Sequence, residues 1–252
     1  MEMNRFKDKV ALVTGAASGI GKATAFRLGE EGATLMICDF NETGLKEASS
    51  KLSEKGVINE YLAFDVSDPD ACRNSVEKTV DRFGRLDLLC NIAGYSQLKH
   101  LADISVSDWK RMIDVNLSSV FYMSQAAMPH LIKTKGNIVN MSSTAALGGQ
   151  AYNAMYCATK GGVAMLSMSM AVEFAKQGVR VNAICPGAVE TPLTMKFSIP
   201  ENADMELIGK LFPLLGMAKP EEIAAAVAYI ASSEARFVTG EKLVIDGGQT
   251  IF

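Results

Sequence analysis

The sequence predicts an α/β protein with a parallel β-sheet of seven strands in a single domain. Short apolar runs alternate with helical patterns, and the early runs are continuously apolar, as in strands covered by helices on both faces. The candidate strands are residues 10–14, 34–38, 59–64, 86–90, 137–142, 179–185 and 242–246. The candidate helices are residues 20–31, 43–54, 69–82, 107–134, 154–177 and 220–231.

Individual elements carry local signals as well. The first two strands read "VALVT" and "TLMIC", whereas the later strands "NIVNMS" and "VRVNAIC" include polar residues. Pro69 in "SDPD" and Pro220 in "AKPEEI" mark helix starts, because proline fits the first turn of a helix behind a polar cap. No linker, repeat or low-complexity segment interrupts the pattern, so residues 1–252 are predicted to form one domain.

Composition and charge argue against several classes of protein. Hydrophobic residues make up 48% and charged residues 21% of the chain, which is ordinary globular usage. The net charge is -3 and no basic stripe is present, so we expect no nucleic-acid partner. The chain has neither a signal-peptide pattern nor an apolar run of about 18 to 20 residues. Five cysteines without a C-x-x-C pair fit reduced thiols, so we expect a soluble cytoplasmic protein without a metal site.

Residues 186–219 are the exception to the regular alternation, with four prolines in one connection. Connections of this length in compact domains are more often functional than structural, so residues 189–217 are predicted to form a substrate-binding lid. The lid is strongly apolar, which favours an apolar substrate; packing on the protein or on a partner subunit is the open alternative. Its apolar residues include Met195, Phe197, Ile199, Met205, Leu207, Ile208, Leu211, Phe212, Leu214 and Leu215.

A glycine-rich turn links the first strand to the first helix. Gly15, Gly19 and Gly21 lie in "VALVTGAASGIGKA", where glycine lets the backbone turn sharply and approach a pyrophosphate at a helix N-terminus. The spacing G-x-x-x-G-x-G differs from G-x-G-x-x-G, so a glycine turn without a ligand stays an alternative at this point.

Asp39 strengthens the dinucleotide hypothesis, because it lies where the second strand ends. A carboxylate there can accept both hydroxyls of an adenosine ribose and repels a 2′-phosphate. Phe40 follows it, and Ala17 and Ser18 occupy the turn where a basic residue could have held that phosphate. NAD is therefore favoured over NADP, and a simple turn-capping role for Asp39 is the alternative.

Seven motifs in a fixed order make the chain resemble the short-chain dehydrogenase/reductase family over nearly its whole length. They are "TGAASGIG" (14–21), "FDVSD" (64–68), "NIAG" (91–94), "VNL" (115–117), "IVNMSS" (138–143), "YCATK" (156–160) and "CPGAVETP" (185–192). Ile92 departs from the family, which usually has a second asparagine there. The resemblance implies a Rossmann-like, doubly wound sheet of seven parallel strands and a nicotinamide cofactor.

The resemblance also implies site residues. The catalytic tetrad would be Asn116, Ser143, Tyr156 and Lys160, with Asp65 and Val66 at the adenine, Asn91 beside the cofactor and residues 186–191 at the nicotinamide. The implied cofactor-binding residues are Gly15, Ser18, Gly19, Ile20, Gly21, Asp39, Phe40, Asp65, Val66, Asn91, Ala93, Gly94, Tyr156, Lys160, Pro186, Gly187, Val189 and Thr191.

Three tyrosines compete for the catalytic role. Tyr156 and Lys160 share a helix face at i,i+4, and Ser143 precedes Tyr156 by the family's 13 residues. Tyr95 has the same spacing to Lys99 but lies where a loop is expected. Tyr152 is predicted to precede the helix, either as a wall of the substrate mouth or as an ordinary surface tyrosine. The two histidines, His100 and His130, are interpreted as incidental.

The chemistry of the tetrad rests on proton transfer. A tyrosine with a pKa of about 10 is a poor base near neutral pH, and lowering that pKa by about three units takes about 4 kcal/mol. A cation about 4 Å away can supply an interaction of that size, so Lys160 is predicted to lower the pKa of Tyr156. Ser143 is expected to donate a hydrogen bond to the substrate oxygen, and Asn116 to hold a water that relays protons from Lys160.

The sequence thus predicts an NAD-dependent oxidoreductase for a secondary alcohol or ketone, with an apolar steroid-, terpenoid- or alicyclic-like substrate. One alternative is a 3-oxoacyl-acyl-carrier-protein reductase, although Val172 and Glu173 stand where such enzymes often carry basic residues. Another is a dinucleotide-sensing binding protein without catalysis. Residues 107–134 and 154–177 resemble the family's subunit-contact helices, which implies a homotetramer.

Overall fold

Seven parallel strands form one β-sheet in the computed structural model, which describes residues 4–195 and 197–251. The strands are β1 (Val10–Thr14), β2 (Thr34–Asp39), β3 (Asn59–Ala63), β4 (Leu88–Asn91), β5 (Asn137–Met141), β6 (Arg180–Pro186) and β7 (Lys242–Ile245). They lie in the order β3-β2-β1-β4-β5-β6-β7. The predicted α/β class with a seven-stranded parallel sheet is confirmed.

Helices cover both faces of this sheet. One face packs against α1 (Gly19–Glu30), α2 (Glu42–Glu54) and α9 (Pro220–Ala231), and the other against α3 (Pro69–Phe83), α5 (Ser119–Thr134) and α6 (Ala154–Phe174). Three shorter helices are α4 (Val106–Ile113), α7 (Pro192–Met195) and α8 (Met205–Gly209). Among residues 4–195 and 197–251, no helix is both long and apolar enough to cross a membrane.

The continuous apolar runs of β1 and β2 follow from this two-sided packing. Side chains alternate along a strand, so Val13 and Ile37 pack with α1, α2 and α9, whereas Leu12 and Met36 pack with the opposite helical layer. All four side chains are buried. Each position of such a strand needs an apolar residue, which explains why the strands lack the polar alternation of half-exposed sheets.

The predicted helix 107–134 is not one regular helix. It is divided into α4 and α5 by a π-helical turn at Asp114–Ser118. Within this wide turn Asn116 is completely buried, and its side-chain amide bonds the backbone of Tyr95. A π-helical turn leaves the apolar periodicity on either side intact, so the sequence pattern gave no sign of it. Such turns frequently occur at functional sites.

The fourth strand begins later than the predicted residues 86–90. It spans Leu88–Asn91, and the side chain of Asp87 just before it accepts a hydrogen bond from the backbone nitrogen of Val10 at 3.0 Å. Leu86 is nevertheless fully buried. Its apolar character therefore reflects burial before the strand begins.

A crevice opens at the carboxyl end of the sheet between β1 and β4. Here the chain leaves β1 toward one helical layer and β4 toward the other, which is where ligands bind in open α/β sheets. The hydroxyl of Thr14 holds the two strand ends together, since it accepts hydrogen bonds from the backbone nitrogens of Ile92 at 3.0 Å and Ala93 at 3.1 Å.

The predicted lid follows β6 beside this crevice. A parallel bridge between Val189 and Ala218 closes its base. The segment contains the short helices α7 and α8, and Lys196 lies outside the described residues. Ile208 is buried, but most apolar side chains of the segment are exposed: Met195, Phe197, Ile199, Met205, Leu207, Phe212, Leu214 and Leu215. The lid therefore presents a large apolar surface in this single chain.

Candidate active site

One cavity of about 500 Å³ occupies the crevice, and most of the predicted site residues line it. Asn91 and Asn116 do not line it. The predicted residues that do are Gly15, Ser18, Gly19, Ile20, Gly21, Asp39, Phe40, Asp65, Val66, Ala93, Gly94, Ser143, Tyr156, Lys160, Pro186, Gly187, Val189 and Thr191.

The glycine turn requires glycine for two different reasons. Gly15 has a φ of +72°, and a Cβ there would lie 2.9 Å from the backbone nitrogen of Ala93. A Cβ on Gly21 would lie 2.1 Å from the carbonyl oxygen of Gly15, which is impossible without moving the backbone. The turn therefore packs tightly against the strand ends, and Ser18 precedes the first residue of α1 at the cavity wall.

Asp39 ends β2 at the rim of the glycine turn. Its carboxylate accepts one hydrogen bond from the backbone nitrogen of Ala17 at 3.1 Å and another from Asn41 at 3.0 Å. The bond to Asn41 corresponds to the turn-capping alternative, but the same carboxylate also lines the cavity. Each oxygen keeps a further acceptor site, so Asp39 can cap its turn and still bind a ribose hydroxyl.

Asp65 and Val66 follow β3 at the same end of the cavity. Burial raises the pKa of Asp65, but hydrogen bonds from Ser67 and Arg111 leave it below its usual value. Arg111 comes from α4 and donates to the Asp65 carboxylate at 2.8 Å. It lines the cavity but is absent from the sequence-based predictions, because α4 and the end of β3 are distant in sequence.

Tyr156 and Ser143 face the opposite end of the cavity. Tyr156 lies in the first turn of α6, and Ser143 follows β5. Burial raises the pKa of Tyr156 to about 12, although a hydrogen bond with Ser143 lowers it. This phenol therefore holds its proton near neutral pH. The direction is opposite to the one predicted from the sequence.

Lys160 is buried one helical turn beyond Tyr156, with 3% of its surface exposed. Its ammonium nitrogen donates to the carbonyl oxygen of Met141 at 2.8 Å and lies 5.5 Å from the centroid of the Tyr156 ring. Burial lowers the pKa of Lys160 to about 8. The predicted lowering of the Tyr156 pKa by Lys160 is wrong for this structure, because the ammonium is turned to Met141 and burial of the phenol dominates.

Asn116 lies behind the cavity wall and hydrogen-bonds the backbone of Tyr95. Its amide donates to the carbonyl oxygen of Tyr95 at 2.7 Å and accepts from the Tyr95 nitrogen at 2.9 Å. A Cβ on Gly94 would lie 3.0 Å from the Asn116 side-chain oxygen and 3.5 Å from the Lys160 ammonium. Both predicted tetrad members therefore pack closely against Gly94.

Asn91 ends β4 and is turned into the helical layer. Its amide nitrogen donates to Asn140 at 2.8 Å and to Ser124 at 3.3 Å, whereas its carbonyl oxygen is buried without a hydrogen-bond partner. The structure thus places Asn91 next to the cavity-lining residues Ile92 and Ala93 rather than at the cavity surface. Its position favours support of the strand end over direct contact with a ligand.

The end of β6 forms the remaining wall. Pro186, Gly187, Val189 and Thr191 line the cavity there. A Cβ on Gly187 would lie 2.8 Å from the side-chain oxygen of Gln249, so this wall is packed against the C-terminal segment. A Cβ on Gly19 of the glycine turn would lie 3.0 Å from the Thr191 side chain. The wall formed by the end of β6 therefore contacts the glycine turn.

Tyr152 fastens the lid to the loop after β4. Its hydroxyl accepts a hydrogen bond from the backbone nitrogen of Asp204 at 2.8 Å, and its carbonyl oxygen accepts one from Lys99 at 2.8 Å. Its φ is +61°, a left-handed conformation that is uncommon for tyrosine. Tyr152 precedes α6, as predicted. The structure favours a lid contact over an unattached surface tyrosine.

His100 takes part in the same contact, which gives it a structural role that the sequence did not indicate. Its ring packs edge-on against Tyr152 with centroids 5.0 Å apart, and Nε2 lies 2.8 Å from the carbonyl oxygen of Glu201. Both partners are remote in sequence, and a lone histidine without nearby ligand residues gave no signal of them. The loop "YSQLK" is not helical, which confirms the exclusion of Tyr95 as a helical partner of Lys99.

The chain is similar to known oxidoreductases over its whole length. The profile of the enoyl-(acyl carrier protein) reductase family matches residues 15–250. A 3-oxoacyl-(acyl-carrier-protein) reductase, FabG, from Thermotoga maritima is 40% identical over 252 residues, covering 98% of this chain and 100% of that protein. A cis-4-hydroxycyclohexanecarboxylate dehydrogenase from Sinomonas cyclohexanicum is 39% identical over 247 residues, covering 97% and 98% of the two chains.

Solved structures show the same architecture. The carveol dehydrogenase from Mycobacterium avium in complex with NAD has a TM-score of 0.90 and 29% identity, covering 98% of this chain and 99% of that one. The profile match and the full-length relatives agree with the motifs and the doubly wound sheet. The chain therefore belongs to the short-chain dehydrogenase/reductase family.

Proposed function

We propose that the protein is an NAD-dependent oxidoreductase that interconverts a secondary alcohol and a ketone on an apolar, alicyclic substrate. The observation that carries the proposal is a single cavity lined by the glycine turn and Asp39 at one end and by Ser143, Tyr156 and Lys160 at the other. A dinucleotide has its phosphates in the middle and its reactive ring at one end, which matches this distribution of chemistry.

The residues present fit NAD. Gly15 and Gly21 let the turn pack directly against neighbouring backbone, which places the N-terminus of α1 at the cavity, where it can meet a pyrophosphate. The carboxylate of Asp39 is positioned to accept ribose hydroxyls and would repel a 2′-phosphate. NAD is therefore the favoured cofactor and NADP the less favoured one. Pro186, Gly187, Val189 and Thr191 would hold the nicotinamide end.

When bound, the nicotinamide ring accepts or delivers the hydride of the reaction. The protein manages the proton on the substrate oxygen. In the reduction direction Tyr156 holds a proton near neutral pH and can donate it to that oxygen, with Ser143 as a hydrogen-bond partner. In the oxidation direction the phenol must first lose its proton, so the oxidation rate should rise with pH.

Lys160 lies one helical turn beyond Tyr156, and its ammonium nitrogen is 5.5 Å from the centroid of the Tyr156 ring. Its low pKa of about 8 means that it can also release and regain a proton within an accessible pH range. A water held by Asn116 would connect Lys160 to solvent, as the family resemblance implies. Both side chains lie close to Gly94, because a Cβ there would be 3.0 Å from Asn116 Oδ1 and 3.5 Å from the Lys160 ammonium.

The substrate class rests on the lid and on the relatives. Residues 189–217 expose several large apolar side chains, and the first residues of this segment line the cavity. Relatives act, by their names, on cyclohexanol and on 4-hydroxycyclohexanecarboxylate, and a structural neighbour on carveol. An apolar ring bearing a secondary hydroxyl suits such a surface.

The decisive assay follows reduced nicotinamide by absorbance with a panel of alcohols and both NAD and NADP. We expect turnover of alicyclic alcohols with NAD and little turnover of small polar polyols. Tyr156→Phe should abolish turnover while NADH binding, followed by fluorescence, stays near the wild-type value. Turnover restricted to polyols would contradict the substrate class, and turnover by the phenylalanine variant would contradict the role of Tyr156.

A 3-oxoacyl-acyl-carrier-protein reductase is the second candidate, because a relative at 40% identity carries that name. This function predicts NADPH-driven reduction of acetoacetyl thioesters. Asp39 argues against it, as do Val172, which is 82% exposed, and Glu173 on the helix where a basic docking surface is expected. Failure to reduce acetoacetyl thioesters would eliminate it.

A dinucleotide-sensing protein without catalysis is the third candidate. It predicts NADH binding with no turnover in a broad alcohol and ketone panel. The presence of Ser143, Tyr156 and Lys160 along one cavity wall disfavours it. Any turnover that depends on Tyr156 would remove this candidate.

We further propose a homotetramer in the cytoplasm. Apolar side chains on α5 and α6 are exposed in the single chain, including Phe121 at 44%, Met165 at 61% and Val172 at 82%. Five free cysteines in the described residues suit a reducing compartment. Light scattering coupled to size exclusion should give four times the chain mass of 27.0 kDa, whereas a monomer mass would contradict the assembly.

A further inference from the structure

Arg111 is fixed at the end of the cavity opposite the catalytic residues. Its Nη2 donates to Asp65 Oδ2 at 2.8 Å and its Nη1 donates to Ser67 Oγ at 2.7 Å. Asp65, Val66 and Arg111 all line the cavity. The guanidinium is therefore held by two separate acceptors at the place where α4 passes the end of β3.

Arg111 and Ser67 together determine which acceptor sites of Asp65 stay available. Oδ1 accepts from the Ser67 nitrogen at 2.9 Å and from its hydroxyl at 2.7 Å, which uses both lone-pair directions. Oδ2 accepts from Arg111. A carboxylate oxygen can accept two hydrogen bonds, so one acceptor site on Oδ2 remains. The arrangement thus leaves a single, oriented acceptor in the cavity wall.

We propose that Arg111 is a positioning residue for the adenine base of the cofactor, because it orients Asp65 to accept a hydrogen bond from the 6-amino group. The inference rests on the proposed function and deepens its cofactor site. An amino group at the purine 6-position is a donor and matches the remaining acceptor, whereas a 6-oxo group is itself an acceptor. The face of a held guanidinium can also stack on a purine ring.

The contact depends on the planar, forked shape of arginine. Two of its nitrogens reach two acceptors that belong to different residues, Asp65 and Ser67. A lysine ammonium at the same position keeps the charge but is a point donor without the fork. Arg111→Lys therefore separates the effect of charge from the effect of geometry.

The experiment measures binding of NADH and of its deamino analogue, reduced nicotinamide hypoxanthine dinucleotide, by the fluorescence of the reduced nicotinamide. The proteins are the full chain, Arg111→Gln, Arg111→Lys and the control Arg82→Gln. Arg82 is also an exposed arginine in an ion pair, with Glu60 at 2.9 Å, but does not line the cavity. Thermal unfolding without dinucleotide checks that each variant is folded.

For Arg111→Gln we expect the Kd of NADH to rise about 10-fold, which corresponds to about 1.4 kcal/mol. The wild-type chain should bind NADH about 10-fold more tightly than deamino-NADH, and this preference should fall to about 3-fold or less in Arg111→Gln. Arg111→Lys should recover only part of the affinity, and Arg82→Gln should match the wild type.

The outcomes distinguish this inference from the proposed function. If the wild-type chain binds NADH, and Arg111→Gln binds it with the same Kd and the same preference over deamino-NADH, the inference is wrong but the proposed function stands. If folded Arg111→Gln loses affinity equally for NADH and deamino-NADH, the inferred recognition of the 6-amino group is wrong. If Arg111→Lys binds NADH as tightly as the wild type, the forked shape of arginine is not needed. Failure of the wild-type chain to bind NADH contradicts the proposed function, and the inference with it.

Discussion

Replacing Lys160 by methionine should make the folded protein more stable near neutral pH while removing its activity. The ammonium of Lys160 is 3% exposed, and burial lowers its pKa from 10.5 to about 8. A shift of about 2.5 units corresponds to about 3 kcal/mol of unfavourable charge burial at 1.36 kcal/mol per unit. Methionine has a similar length and no charge, so Lys160→Met removes this penalty.

The gain is partly offset. Lys160 donates a hydrogen bond to the carbonyl oxygen of Met141 at 2.8 Å, and leaving a buried acceptor without a partner costs about 1–3 kcal/mol. The net stabilisation expected near neutral pH is therefore about 1 kcal/mol. In a domain of this size that corresponds to a rise in Tm of about 2–4 °C.

The pH dependence provides the sharper measurement. The unfolded chain keeps the lysine proton up to pH 10.5, whereas the folded chain releases it near pH 8. Between these values the unfolded state binds more protons, so raising the pH favours the folded wild-type protein. The free-energy difference between Lys160→Met and the wild type should therefore shift in favour of the wild type by about 2 kcal/mol between about pH 7 and pH 9.5.

Denaturant unfolding of both proteins at the two pH values, without dinucleotide, measures this difference. Lys133→Met, which changes an exposed lysine on α5, serves as the control and should show no such shift. A Lys160→Met protein whose stability difference from the wild type is the same at both pH values would refute the reasoning about charge burial. Lower stability of the variant at both pH values would show that the bond to Met141 dominates.

Three further changes test the cofactor site and the lid. Asp39→Asn removes the charge that repels a 2′-phosphate, so the ratio of Kd values for NADPH and NADH should fall at least about 10-fold. Gly21→Ala places a Cβ 2.1 Å from the Gly15 oxygen and should lower the free energy of unfolding by about 2–4 kcal/mol and weaken NADH binding. Tyr152→Phe removes the acceptor for Asp204, so KM for an alicyclic alcohol should rise several-fold at nearly constant kcat.

Two of these changes, Gly21→Ala and Tyr152→Phe, have a matched control. Gly209→Ala adds a Cβ that meets no atom within 4 Å, so it should leave unfolding nearly unchanged. Tyr229→Phe alters an exposed tyrosine on α9 and should leave KM at the wild-type value. An unchanged cofactor ratio in Asp39→Asn, wild-type stability in Gly21→Ala or an unchanged KM in Tyr152→Phe would each contradict the corresponding argument.

The fold could be predicted from the sequence because its determinants are local. Strands such as β1 and β2 are buried on both faces, and several connections carry a glycine or proline signal, as at Gly15, Pro69 and Pro220. The glycine turn, Asp39 and the pair Tyr156 and Lys160 are likewise short-range patterns. Their placement along one cavity follows from the parallel sheet, which brings the carboxyl ends of its strands to one edge.

The features that escaped prediction depend on contacts between distant segments. Arg111 reaches Asp65 across 46 residues of sequence, and Tyr152 reaches Asp204 across 52. The direction of the Tyr156 pKa shift depends on how deeply the phenol is buried and on where the Lys160 ammonium points. Neither quantity is encoded in the spacing of the two residues along a helix.

The π-helical turn at Asp114–Ser118 holds one residue more than a regular helix would between α4 and α5. Each residue of an α-helix turns the chain by about 100°, and a π-helical turn amounts to one extra residue in such a helix. The wide turn absorbs that residue, so Val115 within it packs in the same core layer as Met123 and Ala127 of the following helix. Deleting one residue from this turn would give a regular helix with its flanking faces still in register, but it would remove the wide turn that places the buried Asn116 amide against the backbone of Tyr95.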